Sequence, residues 1–272
     1  MHVLVLFSLM WCVLLAVTQE TPPTGPKNPY CDQQLCPRGK RHVACEKLQN
    51  NSHKACSGEQ TQLVNLTSQA DTIVKAHNEL RQRLANGKNM TLPRAARLVA
   101  MQWSEELATL ASYNARMCQP KHDDCRNTAN FKHSGQNIIL FNMTRLVDNE
   151  LMEKMYPQLL GIGVRNWWGE HKSNSSNMMT AADVEHYPCP LNRYSKPQLY
   201  RHFAVMAVEN NTHVGCAGSR YVAKEITYFK LTCNYAEDFM CGSPIYHFRA
   251  VGCLTGPNTQ HKALCSKKEI FA

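Results

Sequence analysis

The stretch YRHFAVMAVENNTHVGCAG (200–218) decides how the chain is read. His202 opens a run that alternates residue by residue to Val208. A short polar turn follows, then Val-Gly-Cys. Alternation followed by a turn predicts strands over 202–208 and 214–218. A further strand is expected over 226–235, which makes the three an antiparallel set. An imidazole then stands at the mouth of a strand pair that carries Cys216.

Upstream, the pattern changes to a helical period. Ser68 and Asp71 have the spacing of an N-terminal capping box. Ile73, His77, Leu80 and Leu84 fall on one face, and Gly87 is a natural stop. His77, on that apolar face, reads as a hydrogen-bonded core residue. A second helix is expected from Ser104 to about Cys118, with Glu105 and Glu106 at the positive end of its dipole. Its inner face is Leu107, Leu110, Ala111 and Asn114. Residues 137–141 (NIILF) read as a short buried strand. Residues 148–172 have a helical pattern that Pro157 is expected to break in two. Residues 173–200 are polar and read as a long loop. Helices flanking a central sheet make an α+β sandwich. Trp103, Trp167 and Trp168 read as core.

The ends of the chain define its compartment. Val3 to Val17 is an apolar run too short to span a bilayer, with Ala16 and Thr18 near a cleavage point. Residues 1–18 are expected to be a signal peptide. The chain has 13 cysteines. Removing Cys12 with the leader leaves 13 − 1 = 12, an even number suited to an oxidising compartment. No C-x-x-C is present, which argues against redox catalysis and zinc ribbons. Sequons at Asn50, Asn65, Asn89, Asn142, Asn174 and Asn210 fit a glycoprotein. The formal charge is +9, but the cations are scattered and not interleaved with aromatics. That favours a solvated basic surface over nucleic-acid binding. No later stretch is apolar enough to span a membrane. Residues 19–66 form a cysteine-rich N-terminal extension, 67–236 the main domain, and 237–272 a stapled tail. The motifs G-x-S-x-G, H-E-x-x-H and the Walker loop are absent, which removes those enzyme classes.

HNELRQRLANG (77–87), WSEELATLASYNARMC (103–118), HDDCRNTANF (122–131), GQNI (135–138), RHFAVMAVENNTHVGCA (201–217) and YFKLTCNY (228–235) occur in the order of the CAP superfamily. That superfamily comprises cysteine-rich secretory proteins, antigen 5 and plant pathogenesis-related proteins. NPYCDQQLCPRGKRHVAC (28–45) and GCLTGPNTQHKALCS (252–266) resemble the ends of insect antigen 5. The resemblance implies a three-layer α-β-α sandwich. It also implies the pairs Cys31–Cys45, Cys36–Cys125, Cys56–Cys118, Cys216–Cys233 and Cys253–Cys265, with Cys189–Cys241 left over.

The resemblance further places His122, Gln136, Glu170 and His202 around one cleft, with zinc at His122 and His202 as the metal it suggests and no cofactor required. Gln136 stands where the family often has Glu, so at most one carboxylate, Glu170, faces the cleft. Arg201 and Val208 stand where the family usually has Gly and Trp. The implied function is that of a monomeric, non-enzymatic, secreted effector or binding protein of a body fluid such as venom, saliva or seminal fluid. Its partner would be an extracellular receptor, a sterol or other lipid, or a divalent metal. The alternatives are a metal-assisted hydrolase using His122, His202 and Glu170, and a zinc-dependent assembly protein.

Overall fold

The computed structural model describes residues 28–45, 61–88, 91–172, 178–188 and 200–271. In chain order the elements are β1 (Gln62–Asn65), α1 (Ala70–Asn86), β2 (Gln102–Trp103), α2 (Glu105–Ala115), β3 (Gly135–Asn142), α3 (Asn149–Gly169), α4 (Ala181–Glu185), α5 (Arg201–Ala207), β4 (His213–Ala223) and β5 (Ile226–Tyr235). The sheet runs β1-β4-β5-β3, with β2 added in parallel beside β4. β1 therefore belongs to the sheet although it lies within the segment read as an extension.

The β4–β5 hairpin turns at Lys224 and Glu225, with φ of 49° and 60°. Two left-handed residues in succession match the twist of the flanking strands. Register then sorts the side chains by face. Gly215, Ala217 and Ser219 lie opposite Asn234, Thr232 and Lys230, and this small, polar face receives α2. Cys216 lies opposite Cys233, and the two are bonded. They join Phe229, Leu231 and Tyr235 in the main apolar core with residues of α1, α3 and α5. The result is an α-β-α sandwich.

The α2 face is buried but polar, so its groups must pair. Asn114 does this work. Its Oδ1 accepts from Lys230 Nζ (2.7 Å) and Thr232 Oγ1 (3.0 Å). Burial lowers the Lys230 ammonium to about 7. Opposite, His77 is fully buried: its Nδ1–H donates to Ile73 O (2.8 Å) and Nε2 accepts from Tyr235 Oη (2.9 Å).

Burial pushes the His77 imidazole down to about 4. In the unfolded chain it titrates near 6.5. Between these values the folded state binds fewer protons than the unfolded one. Stability is therefore full above about pH 6.5 and falls as pH drops toward 4, by about 3 kcal/mol for this group. Urea denaturation from pH 7 to 4 checks this. The expected result is a shallower pH slope in His77→Gln than in the wild type; equal slopes would remove His77 as the source.

Several expectations are corrected. Residues 202–208 are not a strand: α5 is helical, and Phe203 to Ala207 are all buried. A short run buried on every side carries no period, so alternation of side-chain type there was coincidental. Pro157 does not break α3, which is continuous. Both Pro157 and Glu153 are exposed, so the carbonyl left without an N–H partner faces solvent. Ser68 does not cap α1; a 3-10 turn at Thr67–Gln69 leads directly into the helix, and its N-cap position is Gln69 with no side-chain bond. The second helix ends at Ala115, and the segment read as a loop contains α4, capped by Thr180 and Asp183. Trp167 and Trp168 are core residues, and Trp103 packs against the core half-buried.

Cys36–Cys125 ties the lead segment to the main domain, while Cys31–Cys45 closes a loop within the lead and Cys253–Cys265 one within the tail. Cys118 and Cys241 are also disulfide-bonded; Cys56 and Cys189 lie outside the described residues, as do residues 1–27 and Asn50, Asn89 and Asn174. Of the other sequon asparagines, Asn65 and Asn142 are exposed and Asn210 half-buried.

Candidate functional site: a cleft at the edge of β3

Two histidines approach the start of edge strand β3 from opposite faces of the sheet. Successive strand residues point to opposite faces. Gln136 lies on the α2 face beside Asn234, while Asn137 faces the apolar core. His122 is tied to the first and His202 to the second.

Gln136 Nε2 donates to Asp123 Oδ1 (2.9 Å) and to Asn234 Oδ1 (2.9 Å). Its Oε1 therefore faces His122 Nδ1 at 2.9 Å, and His122 must donate there. The Nε2 of His122 is left bare. Asp123 is held in turn by Arg126 Nε (2.7 Å) and by the amide of Asn114. The string from Lys230 through Asn114, Asp123 and Gln136 to His122 fixes one tautomer of one ring. Burial first, then the Arg201 charge, brings the His122 imidazole down to about 4 against the opposing bond from Gln136, so the ring is neutral at pH 7.

His202 is held by Glu170, which caps the C-terminal end of α3. Glu170 Oε1 accepts from His202 Nδ1 (2.6 Å) and Oε2 accepts from the His202 backbone N–H (2.9 Å). One carboxylate thus anchors both the ring and the start of α5. Asn137 Nδ2 donates to His202 O (3.0 Å) from below. The two imidazole centroids lie 6.3 Å apart, and Trp167 lies 6.3 Å from the His202 ring. The His202 and Glu170 side chains are 22% and 25% exposed, so a small molecule reaches both.

The structure thus brings His122, Gln136, Glu170 and His202 to one cleft. It adds Asp123, Arg126, Asn114, Asn137 and Asn234, none of which was singled out as a site residue. The string His-Asp-Asp-Cys offered one signal, since a carboxylate adjoins the histidine in sequence. The asparagines offered none, because their role depends on strand register.

Both rings have an Nδ1–H bound to an oxygen acceptor and, among the described residues, a free Nε2, the arrangement that suits a metal-binding histidine. The remaining donors do not complete a site. Both Glu170 oxygens are taken by His202, Gln136 is a neutral amide, and a guanidinium lies nearby. Among the described residues no group of three or more His, Cys, Asp or Glu side chains is arranged to hold a metal ion. Zinc sites use at least three protein ligands, so the residues present fall short of one. Among the described residues, no helix is long and apolar enough to cross a membrane.

Residues 74–235 match the model of the "CAP: Cysteine-rich secretory protein family". Venom allergen-1 of Aedes albopictus is 37% identical over 88% of this chain and 88% of its own length. Antigen 5 like allergen Cul n 1 of Culicoides nubeculosus is 30% identical, covering 71% and 83%. Venom allergen 5 of Dolichovespula arenaria is 29% identical, covering 80% and 98%. Among solved structures, BmVAL-1 superposes with a TM-score of 0.52 at 21% identity over 79% of this chain and 99% of that one. NaASP2 with Zn2+ superposes with a TM-score of 0.52 at 18% identity over 78% and 100%; these two show a shared fold. The helices against the polar and apolar faces of the sheet, the cleft at the start of β3 and these matches together place the chain in the cysteine-rich secretory protein (CAP) family, among venom allergen and antigen 5 proteins of insects.

Proposed function

We propose that the protein is a secreted, non-enzymatic binding protein that acts outside the cell as an effector, with the β3-edge cleft as a recognition site. The observation that carries this reading is the state of Gln136. Its amide is consumed by His122, Asp123 and Asn234, and it cannot ionise. The one carboxylate facing His202 spends both oxygens on that residue. A general base needs its free acceptor poised on the attacking group, and among the described residues no serine, cysteine or threonine bonds either ring at its free Nε2. Export is supported by the apolar leader and the disulfides. The secretory family and the venom allergen relatives agree with it.

The competing reading is metal-assisted hydrolysis by His122, His202 and Glu170. One experiment separates the two. The purified chain is incubated with a peptide library, with and without zinc, beside His202→Ala. The expected result is no cleavage above that of His202→Ala in either condition; cleavage lost in the variant would establish the hydrolase. Calorimetry with zinc addresses the metal directly. Two imidazoles without a third protein ligand predict weak binding, in the high micromolar range or weaker, and an elution volume unchanged by zinc or chelator. Tight binding lost in both His122→Ala and His202→Ala would restore the metal and assembly readings. The macromolecular partner, a receptor or a sterol-like lipid, is a proposal carried by the family alone.

A further inference from the structure

The α2 face of the sheet has a second end, opposite the cleft, where the helix no longer covers it. α2 stops at Ala115. Beyond it, Tyr221 of β4 lies opposite Tyr228 of β5. Their rings stack, with centroids 5.1 Å apart and planes 10° from parallel. Cys118 packs on Tyr221, while Leu140 and Ala223 flank the pair. Tyr221 is buried and Tyr228 half-buried.

Register continues this row onto the edge strand. Asn142, the last residue of β3, lies opposite Tyr228. The next residue, Met143, donates its N–H to Thr227 O at 2.9 Å. The Asn142–Tyr228 pair is therefore of the non-hydrogen-bonded kind, in which side chains approach more closely. Strand order is β4-β5-β3, so Tyr228 gives one ring face to Tyr221 and turns the other toward β3. Among the described residues, no other ring stacks on Tyr228 and no group bonds the Asn142 side chain. Asn142 is exposed and opens the sequon Asn142-Met143-Thr144, whose Nδ2 is the atom that accepts an N-linked sugar. A pyranose has one apolar face of C–H groups, weakly positive, which suits the negative face of an aromatic ring.

Asn65 supplies the contrast within the same sheet. It too is exposed, ends an edge strand and opens a sequon. Its cross-strand partner is Ala217, which offers no ring.

We propose that Asn142 carries an N-linked glycan whose first N-acetylglucosamine covers the Tyr228 ring, so that this sugar is a part of the fold, whereas a glycan on Asn65 only coats the surface. In the transfer, Asn142 Nδ2 bonds to the anomeric carbon of a lipid-diphosphate-linked oligosaccharide. The anomeric C–O bond breaks, the lipid diphosphate leaves, and the Nδ2 proton goes to solvent. The proposal rests on export of the chain, since the sugar is added in the secretory pathway; it does not depend on what the cleft binds.

The full chain is made in insect cells as a secreted protein, with its glycans held in the oligomannose form. Glycopeptide mass spectrometry is expected to find Asn142 occupied. Asn142→Gln is expected to lower the melting temperature by about 2–4 °C, the shift for loss of one ring contact in a chain of this size. Asn65→Gln is expected to change it by less than about 1 °C. Endoglycosidase H leaves only the first sugar, and trimming the wild type with it is expected to keep the melting temperature. In a Tyr228→Leu background, Asn142→Gln is expected to cost nothing further. A bare Asn142 in the secreted chain overturns the proposal. So does a melting temperature unchanged in Asn142→Gln, an equal loss in Asn65→Gln, a loss on trimming, or a full loss in the Tyr228→Leu background. The trimming and Asn65→Gln arms leave Tyr228 intact, so they decide the matter if Tyr228→Leu does not fold. Retention of the chain inside the cell would instead sink the export reading, and this proposal with it.

Discussion

Gly215→Ala is expected to destabilise the protein by about 4 kcal/mol or more, enough to abolish accumulation of the folded chain. The backbone of α2 rests directly on β4 at this point. A Cβ built on Gly215 would stand 2.2 Å from Ala108 N and 2.3 Å from Ser104 O. Neither neighbour is a side chain that can rotate away. The helix would have to lift, and the interlocked face beneath it would open: the Asn114 bonds to Lys230 and Thr232 and the close packing of Ala111 and Ala115 on Ala217. Lifting α2 also pulls on Asp123, which Asn114 helps to hold. The measurement is the urea midpoint, or the yield of soluble protein where no folded material remains. Gly252→Ala is the matched control. Its added Cβ would meet one atom, Ala96 O, at 3.9 Å, and a change within about 0.5 kcal/mol is expected. If Gly215→Ala proves as mild as the control, the close approach of α2 is not a constraint on the fold.

Arg81→Met is expected to cost about 3–5 kcal/mol, in the range for stripping a charged hydrogen-bonding group from a buried site. Arg81 is fully buried on α1, and burial pulls its guanidinium down to about 9. Its Nε and Nη2 donate to Val99 O at 3.2 and 3.0 Å. Its Nη1 donates to Met206 O (2.7 Å) and Val208 O (2.9 Å), and Nη2 also reaches Glu209 O at 3.2 Å. Met206 and Val208 lie at the C-terminal end of α5, where carbonyls have no partner within the helix and a cation is favourably placed. Methionine fills much of the volume and supplies no donor, so four carbonyls lose their bonds. Arg81→Lys, with three donors and no fork, should fall between. Urea unfolding of the three proteins gives the order, and Arg81→Met within 1 kcal/mol of wild type would overturn it.

Arg81 also bears on the cleft, because α5 carries Arg201 and His202 at its other end. That helix was the part of the fold least visible in the sequence. RHFAVMA has no polar face, so neither a period of 2.0 nor one of 3.6 leaves a mark on it. α1 was legible because Ile73, His77, Leu80 and Leu84 share a face while Glu79 and Gln82 do not. The β4–β5 hairpin was legible from its Val-, Ile- and Tyr-rich runs, although Lys224-Glu225 is not a turn signal by composition. Of the cleft, the two histidines and Glu170 were found through their motifs. Arg201 was visible as a departure, but the burial of its Nε without a partner among the described residues was not. Asp123, Asn114 and Asn234 became site residues only when β3, β5 and α2 were in register. Their contribution is to hold another residue's ring, and no local pattern encodes that.

The Cys36–Cys125 bond spans 89 residues of sequence, and Cys125 stands three residues after His122. Residues 28–45 are therefore fastened to the histidine's own loop and are not merely a preface to it. A protease that cuts the chain between residues 46 and 60 leaves this lead attached, because the disulfide survives the nick. Only reduction combined with cleavage releases it, and that same event frees the loop after His122 from its covalent tie. The N-terminal segment thus stays with the loop that carries His122 in any fragment that keeps its oxidised sulfurs.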